Sequence, residues 1–421
     1  MIRVFSQQTS PRFAYVLHFL SGYFGEEWIW SPAPADADIH YGGTGGRVDI
    51  TSCGLLFENG IRSFDVPVTT HPAHFKVLFP DNSAFGFDIF SGIFYLLSRY
   101  EEYLPHRKDI YGRYAHTESL AYRYGFLNEP LIHRWLAYLS EQIYGEEWIP
   151  PYRFLPTYDI DMAWSYRHKG FARNAGGLLR SMLRRDRKAG ERLAVLLRGA
   201  RDPFDCYDYL EELHQRLGLE PRYFIHAGLQ RNEYDKNIPV QHPAMAALVS
   251  RLARKGVVGL HPSWASGDDA ALLIQEKEAL ERSLGTHISA SRQHFIRFTL
   301  PDTFRQLLAV GITDDYSMGY GTINGFRASV SVPFYWYDLL REEQTALRLH
   351  PFCFMDANAY YEEGKDVEAM ELELFYYDEQ HYSYGGNLIT IFHNTMLGTS
   401  REFEGCARRY AFFAETITSP D

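Results

Sequence analysis

From residue 151 onward the chain alternates short apolar runs with amphipathic stretches, and polar side chains close most of the runs. The runs are FLPTYDI, PRYFIHAG, GVVGLH, SRQHFIRF, VGITDDYS, ALRLHPFCF and NLITIFHN, separated by helical stretches such as AMAALVSRLARKG, ALLIQEKEALERSLG and LPDTFRQLLAVG. About seven strands alternating with helices specify an α/β architecture, either a (β/α) barrel or a doubly wound sheet. In a parallel barrel the C-terminal strand ends line one mouth, where active sites are built. Asp159 and Asp161, His226, His261, Arg292 with His294, Asp314 with Asp315, and His393 all lie toward those ends.

At about 100 to 200 residues per domain the 421 residues suggest two or three domains, and a barrel of about 250 residues with a companion also fits; two is the working number. The boundary is expected near GEEWIPPYRFLPTYDID, because Pro150 and Pro151 interrupt the helical run IHRWLAYLSEQIYG before a new strand. Residues 1–150 then form a smaller, mixed α+β accessory domain of no assigned function, and residues 151–421 the barrel. In the first domain short strands such as RVDITSCGLLFE precede the helical FDIFSGIFYLLSRYEEYL. Its Arg99, Glu101 and Glu102 form either a site or, as the favoured expectation, a buried or interfacial ion-pair network that supports the domain interface.

Apolar residues make up 46 % of the chain and charged residues 23 %, a globular mixture. Apolar stretches such as residues 93–97 are far shorter than the ~20 residues of a bilayer span, so no transmembrane anchor is expected. The start, MIRVFSQQTSPRF, lacks the apolar core and cleavage site of a secretory signal, which points to the cytoplasm. Cys53, Cys206, Cys353 and Cys406 are scattered singly and read as reduced thiols. The net charge of −11 argues against a nucleic-acid partner. Residues 167–201 break that pattern, with eleven Lys or Arg against two acids. There Leu178, Leu179, Met182, Leu183, Leu193, Leu196 and Leu197 recur among the bases in a helical rhythm. The segment is either an ordinary packed helix with a solvated basic face or a helix pair lying on the inner face of an anionic membrane.

TYDID places two carboxylates one residue apart where an apolar run stops, so on a strand Asp159 and Asp161 face the same side. The pair suits a divalent cation; without one, each raises the other's proton affinity and one can serve as general acid or base. Capping of the next helix is the plainer alternative. In GVVGLHPSW, His261 ends a run where a neutral imidazole can bind a metal beside the aspartates. In RQHFIR, Arg292 can hold a carboxylate by paired hydrogen bonds and His294 can complete a metal site or meet substrate; a salt bridge on the barrel rim competes. His393 closes LITIFHN, a position for a proton donor to a leaving amine or alcohol. Asp314 or Asp315 can orient a histidine or make a turn. The aromatic share of 16 % permits a sugar-stacking cleft.

Taken in order, TYDID, VVGLHPSW, SRQHFIR, DDYSMGY and IFHN resemble the polysaccharide deacetylase (NodB homology, carbohydrate esterase 4-like) family, in the branch whose first motif reads T-x-D-x-D. The resemblance covers about residues 152–400, and the N-terminal region is similar to the uncharacterised domain that accompanies this branch in bacterial proteins. It implies a distorted (β/α) barrel and metal-assisted removal of an acetyl group from an N-acetylated sugar, with zinc the expected metal. Asp159 matches the family's general base and Asp161 its metal-binding aspartate. His261 matches the first histidine of the H-x-x-x-H metal pair, but the second position is Ala265. His294 is the proposed replacement, ahead of His226. Arg292 resembles the arginine that orients the base, His393 the histidine that protonates the leaving amine, and Asp315 the acid that positions it.

The basic segment 167–201, by holding the chain near an anionic glycolipid, favours a cell-envelope polysaccharide or glycolipid precursor over a free oligosaccharide as the substrate. Three other readings stay open: a metal-independent hydrolase of another C–N bond, suggested by Ala265; a barrel that binds glycan without turning it over; and a glycosyltransferase using Asp159-x-Asp161 for a metal-nucleotide.

Overall fold

The helix Leu131–Tyr144 stops at Gly145, whose φ of +83° closes it in the left-handed region that glycine enters without steric cost. Pro150 and Pro151 then lead into a long strand. The computed structural model describes residues 1–186 and 188–419, so Arg187 of the basic segment lies outside the described residues. The chain forms two units: residues 1–154, 296–353 and 377–389 make unit 1, and residues 155–295, 354–376 and 390–421 make unit 2. Where the sequence points to one boundary near residue 150, unit 1 thus also takes in two later segments.

Unit 1 opens with β1 (Ile2–Phe5), β2 (Trp28–Ser31), β3 (Ile39–Tyr41) and β4 (Val48–Ile50), a parallel sheet in the order β2-β1-β3-β4. A small antiparallel pair, β5 (Val68–Thr70) and β6 (Lys76–Leu78), follows. The helix Ile89–Leu97 is apolar all round and wholly buried, as a core helix must be. Just past it, Arg99 donates to Glu101 Oε1 and Glu102 Oε1, both at 2.8 Å, and Arg327 donates to Glu102 Oε2 at 2.5 Å. All four side chains are buried, and the network belongs to unit 1.

Next along the chain come β7 (Tyr152–Ile160), β8 (Arg222–His226), β9 (Val257–His261) and β10 (Ala290–Ser291). Unit 1 then adds β11 (Asp314–Asp315), β12 (Phe334–Asp338) and β13 (Glu343–Leu349), with β12 antiparallel and β11 parallel to β13. The last strands are β14 (Phe354–Met355) and β15 (Gly386–His393), a parallel pair. The segments that lie in unit 2, which for β7 are residues 155–160 and for β15 residues 390–393, follow the order β14-β15-β7-β8-β9-β10. β7, β8, β9 and β10 pair in parallel, and Phe224, Ile225 and Leu260 are fully enclosed, as the two-sided burial of a parallel sheet requires.

The fold is therefore mixed α/β, but no closed barrel forms among the described residues. Two of the expected strands contribute only two strand residues each, too little backbone pairing to close a ring. SRQHFIRF fails as a strand because Phe295 and Ile296 have φ of 59° and 53°, incompatible with extended backbone. The helices of unit 2 start as their sequences dictate. Pro243 opens one behind the cap of His242, and Asp269 caps another by accepting the N–H groups of Ala271 and Leu272. Their inner faces bury Met245, Val249, Leu273 and Leu280, each worth about 1.5 to 3 kcal/mol of apolar transfer. Among the described residues, no helix is long and apolar enough to cross a membrane.

Candidate active site

Register fixes where the polar side chains emerge. Asp159 pairs with Phe224, and His226 with His261, so β7, β8 and β9 end at one edge. Ser291 pairs with Leu260, and the N–H of Arg292 donates to Leu260 O at 2.9 Å, which sets Arg292 beside His261. Met355 pairs with Ile391, so Asp356 and His393 follow at the ends of β14 and β15. Asp159, His226, His261 and His393 thus sit in the last residues of their strands, and Asp161, Arg292 and Asp356 in the residues that follow theirs.

Asp161 is the hub. Its Oδ1 stands 3.2 Å from His261 Nε2, and its Oδ2 stands 3.6 Å from His294 Nε2 and 3.5 Å from His393 Nε2. Oδ1 is buried yet has no hydrogen-bond partner, so the short approach to His261 is one of proximity without hydrogen-bond alignment. Two ligands of one tetrahedral cation with bonds of 2.0 to 2.1 Å would stand about 3.3 Å apart, which is this spacing. Ligating atoms of Asp161, His261 and His294 all lie within 4.8 Å of one another. The tautomer of His261 also fits: its Nδ1 lies 2.6 Å from Arg292 O, which can only accept, so the N–H sits there and Nε2 turns a lone pair toward Asp161. By donor chemistry and spacing, Asp161, His261 and His294 suit a divalent cation.

The local field favours positive charge. Burial pushes the Asp161 carboxyl up, but the charge of His294 first, and then that of His393, outweighs it and holds the group well below the usual carboxylate range. Burial lowers His294, yet Asp161 and Asp235 raise it on balance to about 9. The same opposition, with Asp356 as the main partner, raises His393 to about 10. A bound cation would take over this role of counter-charge and weaken the pull of Asp161 on its neighbours.

Asp159 sits behind the hub. Arg292 Nη1 donates to Asp159 Oδ1 and to Thr157 Oγ1, both at 2.8 Å, and the guanidinium lies over the Phe224 ring at 4.3 Å. Gly259 makes room for that ring, since a Cβ there would stand 2.6 Å from it. Asp159 Oδ2 is left facing His261 Nε2 at 3.7 Å. Asp159, His261 and Arg292 are buried, whereas the side chains of Asp161 and His393 remain 27 % and 15 % exposed, so substrate reaches the site on their side.

Several sequence expectations change. The carboxylate that holds His393 is Asp356, not Asp315: Asp356 Oδ1 is 2.6 Å from His393 Nδ1, and Oδ2 accepts the His393 N–H at 2.7 Å. Asp315 lies in unit 1, where its carboxylate accepts from the N–H and hydroxyl of Ser317, and Asp314 pairs with His350 at 2.8 Å. His226 does not approach Asp161 as a ligand. Its Nε2 bonds Asp235 Oδ1 at 2.8 Å, and the same oxygen accepts from Trp264 N and lies 3.1 Å from His294 Nδ1. Ala265 sits in the short 3-10 turn Ala265–Gly267. Asp235 and Asp356 are the two site residues that sequence reasoning missed. Asp356 had a readable signal, since it directly follows the apolar FCFM, as Asp159 and Asp161 close theirs; Asp235 lies in the loop RNEYDKNIP with none. Beside His294, Tyr234 stacks on Trp264 at 4.2 Å and Phe295 meets both edge-on.

Comparison with known proteins adds the following. Residues 2–146 match a family described as a family of unknown function (DUF7033). A search of curated proteins finds no sequence match. Among solved structures, the chain is similar to a protein assigned as a polysaccharide deacetylase from Mycobacterium smegmatis, with 13 % identity, 65 % of this chain and 87 % of the other covered, and a TM-score of 0.41. A protein with the same assignment from Pseudomonas aeruginosa gives 11 % identity, coverage of 64 % and 86 %, and a TM-score of 0.39. The catalytic domain of peptidoglycan N-acetylglucosamine deacetylase from Eubacterium rectale gives 10 % identity, coverage of 64 % and 92 %, and a TM-score of 0.31. The first of these likenesses spans 65 % of this chain, and residues 2–146 match a family whose function is unknown.

Proposed function

We propose that the protein hydrolyses the N-acetyl group of an amino sugar in a glycan or glycolipid, using Asp161, His261 and His294 to hold a divalent cation. The observation that carries this reading is the convergence of three histidine Nε2 atoms on the Asp161 carboxylate, with the Arg292-bound Asp159 directly behind. A cation held there supplies Lewis-acid charge for the acetyl carbonyl oxygen.

The chain's own groups do the rest. Asp159 Oδ1 is occupied by Arg292, which leaves Oδ2 to accept a proton from the attacking water. Arg292 holds that carboxylate fixed in direction, its own position locked by Thr157 and the Phe224 face. His393 uses Nδ1 to donate to Asp356, so its Nε2 faces the site and gives a proton to the departing nitrogen. The acetyl carbon gains the water oxygen, its bond to nitrogen breaks, and acetate and a free amine leave. Tyr234, Trp264 and Phe295 offer aromatic surface beside His294 on which a sugar ring can lie.

The reading is tested by incubating the full chain, loaded with Zn²⁺, Co²⁺ or Mn²⁺, with N-acetylhexosamine oligomers and with lipid-linked N-acetylhexosamines, and assaying acetate. Release that is lost in Asp159→Asn is expected. No release with any of these metals on either substrate class overturns it.

A further inference from the structure

The helix Phe171–Arg184 turns an apolar stripe to solvent. Phe171 is 90 % exposed, Leu179 60 %, Met182 62 % and Leu183 77 %, and their spacing of 8, 3 and 1 residues puts all four within about a third of the helix circumference. The helix that follows, Lys188–Leu197, adds Leu197, 77 % exposed. In a globular helix such a stripe faces the core; here the one buried residue of the helix is Ser181, and Arg173, Asn174, Gly177 and Leu178 are half-buried.

On the opposite flank Arg173, Arg180 and Arg184 recur at helical spacing and, with Lys169, Lys188 and Arg192, line one open groove. Among the described residues none of the six forms an ion pair with a carboxylate. The two acids of the segment are otherwise engaged: Asp186 accepts the N–H of Lys188, and Glu191 accepts the Tyr166 hydroxyl. Burial, with the nearby Arg173 and against the pull of Asp202, lowers Lys169 to about 7. A chain of net charge −11 therefore carries one concentrated, unneutralised cationic surface alongside an exposed apolar stripe.

We infer that the helix pair Phe171–Arg184 and Lys188–Leu197 docks on an anionic lipid bilayer, with Phe171, Leu179, Met182 and Leu183 entering the interface and Arg180 and Arg184 meeting lipid phosphates. The combination selects a bilayer over other polyanions. A nucleic acid would neutralise the arginines and leave the stripe in water, whereas an interfacial helix satisfies both at once. The first of these helices begins ten residues after Asp161, so a bilayer bound here holds its lipids near the candidate active site by chain connectivity.

Sedimentation of the full chain with vesicles tests this without reference to catalysis. Vesicles of equal parts phosphatidylglycerol and phosphatidylcholine should carry the protein down, and phosphatidylcholine alone should not. Arg180→Gln/Arg184→Gln should weaken partitioning about 30-fold, at about 1 kcal/mol per surface cation and 1.4 kcal/mol per factor of ten. Phe171→Ser/Leu183→Ser should abolish sedimentation with the melting temperature unchanged, since both side chains are exposed. The inference is overturned if the wild-type chain stays in solution, if it binds neutral and anionic vesicles equally, or if duplex DNA binds it in place of vesicles. It is likewise overturned if light scattering shows a dimer that Phe171→Ser/Leu183→Ser makes monomeric and no vesicle binding accompanies it.

Discussion

The Asp356 carboxylate grips His393 twice, through the ring Nδ1 at 2.6 Å and the backbone N–H at 2.7 Å, so one group sets both the tautomer and the direction of the imidazole. Asp356→Asn keeps the size but removes the charge that favours a protonated ring. We expect kcat to fall by about 10 to 100-fold with KM little changed, and His393→Ala to cost about 10² to 10⁴ in kcat. The two variants should not be additive, since Asp356 acts through His393. Steady-state acetate release by the single and double variants checks this.

Asp235 plays the equivalent part for the proposed cation site, with one oxygen between His226 and His294. Removing it leaves His294 free to rotate without deleting a ligand. Asp235→Asn should weaken metal affinity about 10 to 100-fold, against a larger loss for His294→Ala. Competition with a chromophoric chelator measures both. Equal affinity in wild type and His294→Ala would exclude His294 from the ligand set.

Most of this site could be read from strand ends. Asp159, Asp161, His261, Arg292 and His393 each close or directly follow an apolar run, and a parallel sheet gathers such ends at one edge whatever the loops do. Asp315 obeyed the same rule and was misplaced, because the rule gives the edge but not which strands are neighbours. VGITDDYS yields a two-residue strand in unit 1, whereas FCF, read as the end of the longer run ALRLHPFCF, opens into the separate strand Phe354–Met355 that delivers Asp356. Asp235 was illegible for a different reason: a loop carboxylate gains meaning only from the two histidines that fold against it. The alternation of strands and helices likewise specified the parallel sheet, while closure into a barrel depended on strand lengths that left-handed residues such as Phe295 cut short.

Glu102 should govern acid stability in unit 1. Burial pushes this carboxyl up, but Arg327 and Arg99 outweigh it and hold it at about 2, below its ordinary 4.5. A depressed folded-state value means that the contribution is present in full above the unfolded value and is lost as pH falls from about 4.5 toward 2. Glu101, raised chiefly by burial, has the opposite sign, so the comparison must be with Glu102→Gln and not with the absolute curve. We expect Glu102→Gln to lose about 3 to 5 kcal/mol at neutral pH, with the gap to wild type closing below about pH 4. Urea unfolding of both chains across that range measures it, and a gap independent of pH would refute the assignment.

Gly259 tests whether catalysis depends on the support behind Asp159. Its missing side chain is the space occupied by Phe224, and Phe224 is the face on which Arg292 rests before it reaches Asp159. A methyl group would stand 2.6 Å from the ring, and Ala290 O at 3.1 Å closes the other side, so neither neighbour can yield without moving backbone or the arginine. Gly259→Ala should therefore cost about 1 to 3 kcal/mol of stability by overpacking. It should also lower kcat through displacement of Arg292, in a protein that still binds metal at Asp161. Gly259→Ala/Phe224→Leu, which returns the space but removes the aromatic face, should recover stability while kcat stays low. Recovery of both together would show that the ring serves packing alone and leaves the orientation of Arg292 to Thr157 and Asp159.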